Sequence, residues 1–387
     1  MDIKELQKGH NEIYLDSGEL LYYFSPGRIN VIGEHIDYNG GLVFPCAISL
    51  GTYAAISLRD DDIINLYSAN FKNNGVLSFS LSQELIKDGV WTDYVKGVVS
   101  EIQKDGYKLT KGFNAYIYGN LPNGASLSSS ASLELLFCEI IRDLNNLELS
   151  DLDLVKYSQK AENIFVGLHC GIMDQFAIGM SKKNHAILLD CATLDYKYAP
   201  LELGDNVILI MNTNKRRDLV TSKYNERCEE CAKGLEILKN YKAITHLCDL
   251  SIDDFVEVGK HLTDETIYRR VRHVVSEMDR VKKTFSALES NDIKLVGEFL
   301  NLSHKSLKED YEVTGLELDT IVALAQKEEG VLGARMIGAG FAGCAIAIVK
   351  KDAVEQVKAN VLAGYEKEIG YAADIYVAET NDRTAKL

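Results

Sequence analysis

The sequence predicts an α+β fold in two domains, with mixed sheets and helices. Three observations point there. The chain has 387 residues, too many for one small core and enough for two domains. Strand-like and helical segments both recur along its length, without low-complexity stretches or short-period repeats. Near the end, CAIAIVK and ADIYVAE flank the helical DAVEQVKANVLAGYE, giving a β-α-β order.

Taken in order, runs rich in β-branched and aromatic residues predict strands over 43–58, 63–70, 112–119, 185–190 and 206–213. Helical periodicity predicts a helix from the serine-rich stretch to about residue 146, then helices over 152–166, 218–239, 266–289 and 315–328. A boundary is expected near residue 200, at YAPLELGD, dividing 1–200 from 201–387. Pro26, Pro45 and Pro122 lie in or beside glycine-rich polar clusters. Proline fixes φ and glycine permits positive φ, so these clusters read as shaped loops and not as flexible linkers.

Composition narrows the function classes. The formal net charge of −15 argues against nucleic acid, whose phosphates are bound by Lys and Arg clusters. A nucleotide needs only a few local donors and a metal. Hydrophobic content of 46% with 26% charged residues is ordinary for a globular protein. The first residues, MDIKELQKGHNEIYLDSGELLYYF, lack the basic-then-apolar pattern of a signal peptide. No apolar run approaches the roughly 18 residues that suggest a membrane span, so a cytoplasmic protein is expected. Eight cysteines are dilute and sit mostly in apolar or helical contexts, which suits reduced thiols. Cys228 and Cys231 form one C-x-x-C inside a helical pattern, with no second pair, so neither a metal nor a redox role is expected there.

Four clusters carry chemistry. SPGRINVIGEHIDYNGG, residues 25–41, packs Arg28, Glu34, His35 and Asp37 between glycines. Carboxylates and imidazole suit sugar hydroxyls, and the arginine fork suits a phosphate or carboxylate. Such runs are often charged surface turns, but the apolar flanks here argue for a loop held on a scaffold. PNGASLSSSAS, residues 122–132, stands directly before the apolar LELLFCEII. Helix starts offer unpaired N–H groups and about half a positive charge, so the serines fit either a phosphate site or a plain cap. AENIFVGLHCGIMDQFAIG, residues 161–179, sets Asp174 among apolar neighbours, where it could cap a helix or act chemically. Glu162 on the preceding helix could aim at a metal or lie on the surface.

The last cluster, MIGAGFAGCAIAIV at 336–349, contains G-x-G-x-x-G at Gly338, Gly340 and Gly343. The strand-like run follows it instead of preceding it. A dinucleotide fingerprint is therefore rejected in favour of a glycine-rich loop closing over a ligand. P-loop and protein-kinase motifs are missing, and GASLS is not a G-x-S-x-G elbow.

Together and in this order, these clusters resemble the GHMP superfamily of sugar and metabolite kinases, and most closely its galactokinases. GRINVIGEHIDYNGG is similar to the family's galactose signature, PNGASLSSSAS to its phosphate loop and GAGFAGCAI to its third motif. FVGLHCGIMDQF and MNTNKRRDLVTSKYNERC extend the resemblance along nearly the whole chain. It implies a GHMP-kinase-like two-domain fold with the active site in the cleft between domains. It also implies transfer of the ATP γ-phosphoryl group to the C1 hydroxyl of D-galactose. The products would be galactose 1-phosphate and ADP, in the first committed step of galactose use.

On the matched positions, Glu34, His35 and Asp37 would hold galactose hydroxyls, with Gly171 and Tyr224 completing the pocket. Gly124, Ala125, Ser126, Leu127, Ser128, Ser129 and Ser130 would wrap the nucleotide phosphates. Ser130 and Glu162 would ligate Mg²⁺. Asp174 would act on the C1 hydroxyl, as a base or by orienting it, helped by Arg28. Ser68 and Trp91 would line the adenine end; on periodicity alone, Trp91 reads as an aromatic anchoring a helix start. Ser126 and Ala342 stand where the family usually has glycines. The expected partners are thus galactose and ATP, with no nucleic acid or membrane, and a monomer is expected. An N-acetylgalactosamine kinase shares these motifs. A non-catalytic galactose- and ATP-binding sensor is a further alternative, disfavoured by the intact serine loop and Asp174.

Overall fold

A computed structural model describes residues 2–15, 18–122, 126–168, 170–215 and 220–387 of the chain. Helix α1 (Ile3–Tyr14) leads into strands β1 (Leu21–Asn30), β2 (Leu42–Val43), β3 (Pro45–Leu58), β4 (Ile63–Ser68) and β5 (Leu77–Ser80). Helix α2 (Thr92–Lys104) and β6 (Phe113–Gly119) follow. Then come α3 (Ser129–Asn145), α4 (Asp151–Lys160) and α5 (Met173–Met180). Strands β7 (His185–Asp190), β8 (Tyr196–Pro200) and β9 (Asn206–Asn212) lead to helices α6 (Val220–Leu238), α7 (Ile252–Val258), α8 (Glu265–Glu289), α9 (Ile293–Glu309) and α10 (Gly315–Lys327). The chain ends with β10 (Val331–Met336), β11 (Cys344–Lys350), α11 (Val354–Ile369), β12 (Asp374–Ala378) and β13 (Ala385–Lys386).

This is the mixed α+β architecture expected. One sheet runs β13-β1-β3-β6-β4-β5, a second β10-β11-β9-β12, and a small one β2-β7-β8. Strand β9 is antiparallel to both β11 and β12. Those two are therefore parallel, and α11 supplies the crossover that a β-α-β order needs. The C-terminal end returns to the first sheet: β13 pairs with β1, and the Leu387 N–H donates to the Tyr22 carbonyl at 2.8 Å.

Residues 25–30, expected in a shaped loop, are strand. The β1–β3 register shifts between Pro26 and Gly27, and proline is tolerated at such an irregularity because no ladder bond is lost. Only the segment after Asn30 leaves the sheet. There Val31, Ile32 and Ile36 join the apolar core built by β9–β11 and the later helices, while α2, α3 and α4 pack in a separate core on the first sheet. The polar residues between those apolar anchors are thus fixed at the seam between the two cores.

Helix ends follow local chemistry. Ser150 caps α4 in a reciprocal box with Asp153, and Asp264 caps α8. The helix expected over 152–166 stops being α-helical at Lys160, and Ala161–Val166 continues as a π-helical turn. Such turns are rare and often sit at functional sites. Among the described residues, no helix is long and apolar enough to cross a membrane.

Candidate active site

The segment leaving β1 is held from far along the chain. Arg335 on β10, fully buried, donates to the Val31 carbonyl at 2.8 Å and pairs with Glu34 Oε1 at 3.2 Å. Glu34 also accepts from Asn30 Nδ2 at 2.6 Å and from the Gly338 N–H at 2.8 Å. From α8, Glu277 accepts the Gly33 N–H at 3.0 Å, and His273 Nε2 lies 3.1 Å from the Glu34 carbonyl. Burial pushes the Glu34 carboxyl above its ordinary range, against the pull of Arg335, Asn30 and Gly338. His35 bonds Tyr38 Oη at 2.9 Å and the Ala339 carbonyl at 3.2 Å, so both its ring nitrogens have protein partners. Burial lowers its pKa to about 3, which leaves the ring neutral.

Asp37 opens a single 3-10 turn, Asp37–Asn39, and faces an open pocket. Gly171, Tyr224 and Gln159 share its walls with Cys191 and Tyr38. A Cβ on Gly171 would lie 3.5 Å from Asp37 Oδ2, so the glycine keeps that oxygen uncovered. Burial, with Glu34 and Asp174 nearby, pushes the Asp37 carboxyl up to about 6. Tyr224 lies against His35 and Tyr38, with ring centroids 5.6 and 5.4 Å away.

Asp174 sits in the first turn of α5 without capping it. Arg28 grips it bidentately, Nε to Oδ1 and Nη2 to Oδ2 at 2.9 Å each, and its Nη1 donates to the Ser126 carbonyl at 2.7 Å. Ser128 Oγ donates to Asp174 Oδ2 at 2.5 Å. The arginine and the acid, widely separated in sequence, thus meet where the phosphate loop passes.

Of that loop, Gly124 and Ala125 lie outside the described residues. Ser126 and Ser128 both have positive φ, 58° and 61°, values that a glycine at the first position would meet without strain. Leu127 is buried, Ser129 begins α3, and the side chain of the N-cap residue Ser128 makes no cap bond. Its N–H groups and dipole point where an anion would be held. Gly338 lies over this loop at φ 77°: a Cβ there would meet Ser126 Cβ at 3.2 Å, so the third motif closes on the phosphate loop. Ala342, the other departure, is buried.

Glu162 projects from the π-helical turn, and Gln175 Nε2 donates to its Oε2 at 2.9 Å. Burial pushes its carboxyl up, with the Asp174 charge adding and the Ser130 hydroxyl opposing. A cation between Glu162 and Ser130 would offset that strain, and a carboxylate with a hydroxyl is the hard oxygen set that Mg²⁺ takes. Behind them lies Glu134, fully buried, whose Oε2 accepts from Ser158 at 2.7 Å. Burial, with Glu162 nearby, pushes Glu134 up to about 9, so it is a neutral acid at pH 7.

On the far side of the loop a pocket is lined by Ser68, Asn70, Phe71, Trp91, Tyr94 and the serines Ser129 and Ser130. Trp91 is the N-cap residue of α2 and also a wall of this pocket, so both expectations about it describe one position. Sequence reasoning missed Asn70, Phe71, Tyr94, Gln159 and Cys191, none of which stands in a spacing that signals chemistry. Cys228 and Cys231 form no disulfide, and Cys231 Sγ lies 3.1 Å from Tyr311 Oη. Among the described residues, no group of three or more His, Cys, Asp and Glu could hold a metal ion.

An open polar pocket, the start of α3 and the Arg28–Asp174 pair thus lie close together, and the comparisons with known proteins place the chain among the small-molecule kinases of the GHMP class. The GHMP kinases N-terminal domain model matches residues 93–182, and the C-terminal model matches 284–367. The galactokinase galactose-binding signature matches residues 8–58. A galactokinase from Limosilactobacillus fermentum is 50% identical over the whole of both chains. One from Staphylococcus saprophyticus is 53% identical over 94% of this chain and 95% of its own. The crystal structure of Lactococcus lactis galactokinase complexed with galactose superposes with a TM-score of 0.93, at 47% identity and 100% coverage of each chain. Methanococcus jannaschii mevalonate kinase, 18% identical with a TM-score of 0.67 over 95% of this chain and 100% of that one, shares the fold. The chain belongs to the galactokinase family, ATP-dependent sugar kinases of the GHMP superfamily.

Proposed function

We propose that this protein transfers the γ-phosphoryl group of ATP to the C1 hydroxyl of D-galactose, giving galactose 1-phosphate and ADP. The observation that carries this reading is the position of Asp174. It is gripped by Arg28, bonded by the phosphate loop through Ser128, and placed beside the pocket of Asp37, Gly171 and Tyr224. Glu34, His35 and Asp37 hold the sugar hydroxyls, with Gly171 and Tyr224 completing the pocket. Glu34 accepts two hydrogen bonds, from Asn30 and Gly338, and is ion-paired with Arg335, which leaves carboxylate lone pairs for a sugar hydroxyl. Residues 124–130 wrap the phosphates, while Ser68 and Trp91 face the adenine. Asp174 orients the C1 hydroxyl and takes its proton, and Arg28 balances charge at the reacting phosphoryl.

Ser130 and Glu162 would hold Mg²⁺, which would supply charge neutralisation for phosphoryl transfer. We read residues 1–200 and 201–387 as the two domains flanking the cleft, and the protein as a cytoplasmic monomer without nucleic-acid or membrane partners.

The test is ADP release with Mg-ATP over a panel of sugars. Galactose is expected to be preferred over glucose by as much as about 10⁴-fold in kcat/KM, because a misplaced hydroxyl leaves buried polar groups unpaired. Comparable values for the two sugars would contradict the assignment.

A further inference from the structure

Ser128 precedes α3 as its N-cap residue, yet its hydroxyl makes no cap bond. Its backbone sits at φ 61° and ψ 50°, a left-handed conformation that strains a non-glycine residue. Glycine would relieve that strain but would bring no hydroxyl. The buried hydroxyl turns away from the helix and donates to Asp174 Oδ2. Arg28 holds the same carboxylate and reaches the carbonyl of Ser126. Asp174 Oδ2 therefore has two donors and Oδ1 one, so Oδ1 keeps more room to accept from an incoming hydroxyl.

We propose that Ser128 is a positioning residue of the phosphoryl-transfer step. Its hydroxyl fixes the rotation of the Asp174 carboxylate and ties it to the phosphate loop. The acceptor and donor ends of the cleft are thereby set in register through one contact. This rests on the kinase reading above, and it concerns the hydroxyl, not the backbone N–H groups that a phosphate would meet.

The test compares Ser128→Ala and Ser128→Gly with the parent protein. It measures kcat with galactose and Mg-ATP, and the Kd for ADP by calorimetry. Both variants are expected to lose about 10- to 100-fold in kcat, the scale of a displaced catalytic group, with ADP affinity held within about twofold. Ser128→Gly removes backbone strain, so its Tm should not fall and a folding defect cannot mimic the result. In an Asp174→Ala background the same substitutions should change the residual rate by less than about twofold, because the hydroxyl has no carboxylate left to set.

Weakened ADP affinity with kcat intact would assign the hydroxyl to the nucleotide and overturn the proposal. Opposite effects of alanine and glycine would assign the position to backbone shape, and full additivity with Asp174→Ala would remove the coupling. A parent protein that releases no ADP with any sugar would instead sink the kinase reading itself.

Discussion

At the sugar end of the cleft, polar groups are largely spoken for within the protein. Glu34 has Asn30, Gly338 and Arg335, and both ring nitrogens of His35 are bonded. At the nucleotide end the opposite holds. The side chain of the N-cap residue of α3 makes no cap bond, and the buried Trp91 Nε1 has no hydrogen-bond partner among the described residues. On the proposed assignment, the sugar end would recognise by rigidity, since groups locked by a surrounding network cannot rearrange to suit a different hydroxyl pattern. At the proposed nucleotide end, the start of α3 offers N–H groups to phosphates that arrive with their own charge. Asp174 stands between the two and draws contacts from both.

That contrast can be broken in order of expected effect. Asp174→Asn keeps the shape but cannot take a proton, so kcat should fall by about 10³-fold or more while galactose still binds. Calorimetry beside a turnover assay separates the two, and a wild-type kcat would remove Asp174 from the chemistry.

Arg335→Ala attacks the rigidity of the sugar end from the other half of the chain. It leaves Glu34 buried without its cation and the Val31 carbonyl without its donor. A loss of about 3 kcal/mol in urea unfolding is expected, with weaker galactose binding at temperatures where the variant is folded. A change below about 1 kcal/mol would show that the segment after β1 is held by its apolar anchors alone.

Glu134→Gln should have an effect that depends on pH. The folded protein keeps a proton on Glu134 up to about pH 9, whereas an unfolded glutamate loses it near pH 4.5. The stability that this proton carries is complete below the unfolded value and is lost as pH rises toward the folded one. Glutamine does not titrate, so the variant's Tm should gain on the parent's by a few degrees between pH 5 and pH 8. An offset independent of pH would mean that Glu134 is charged in the folded state.

The division also explains what could be read from sequence. Arg28, Asp37, Gly171 and Asp174 stand in dense local clusters, and the serine loop announces a helix start. The partners that lock Glu34 and His35 could not be read in the same way. Arg335, Ala339, His273 and Glu277 are brought in by β10, the third motif and α8 from hundreds of residues away. The π-helical turn was hidden because six residues are too few to separate its period from that of an α-helix. Strand β1 was obscured by Pro26 and Gly27, whose loop signals the sheet absorbs as a register shift. Asn70, Phe71 and Tyr94 gather only through strand pairing and helix packing, which leave no motif behind.

The division of the cleft is tested most directly at Trp91, the chain's only tryptophan, whose emission reports on one wall of one pocket. Tryptophan emission is followed during titration with Mg-ADP and, separately, with galactose, each ligand's binding being confirmed by calorimetry. A saturable change with the nucleotide and little change with the sugar is expected, since Trp91 is the proposed wall of the adenine site. Unchanged emission with bound nucleotide, or an equal change with galactose, would contradict the placement of the two substrates at opposite ends of the cleft.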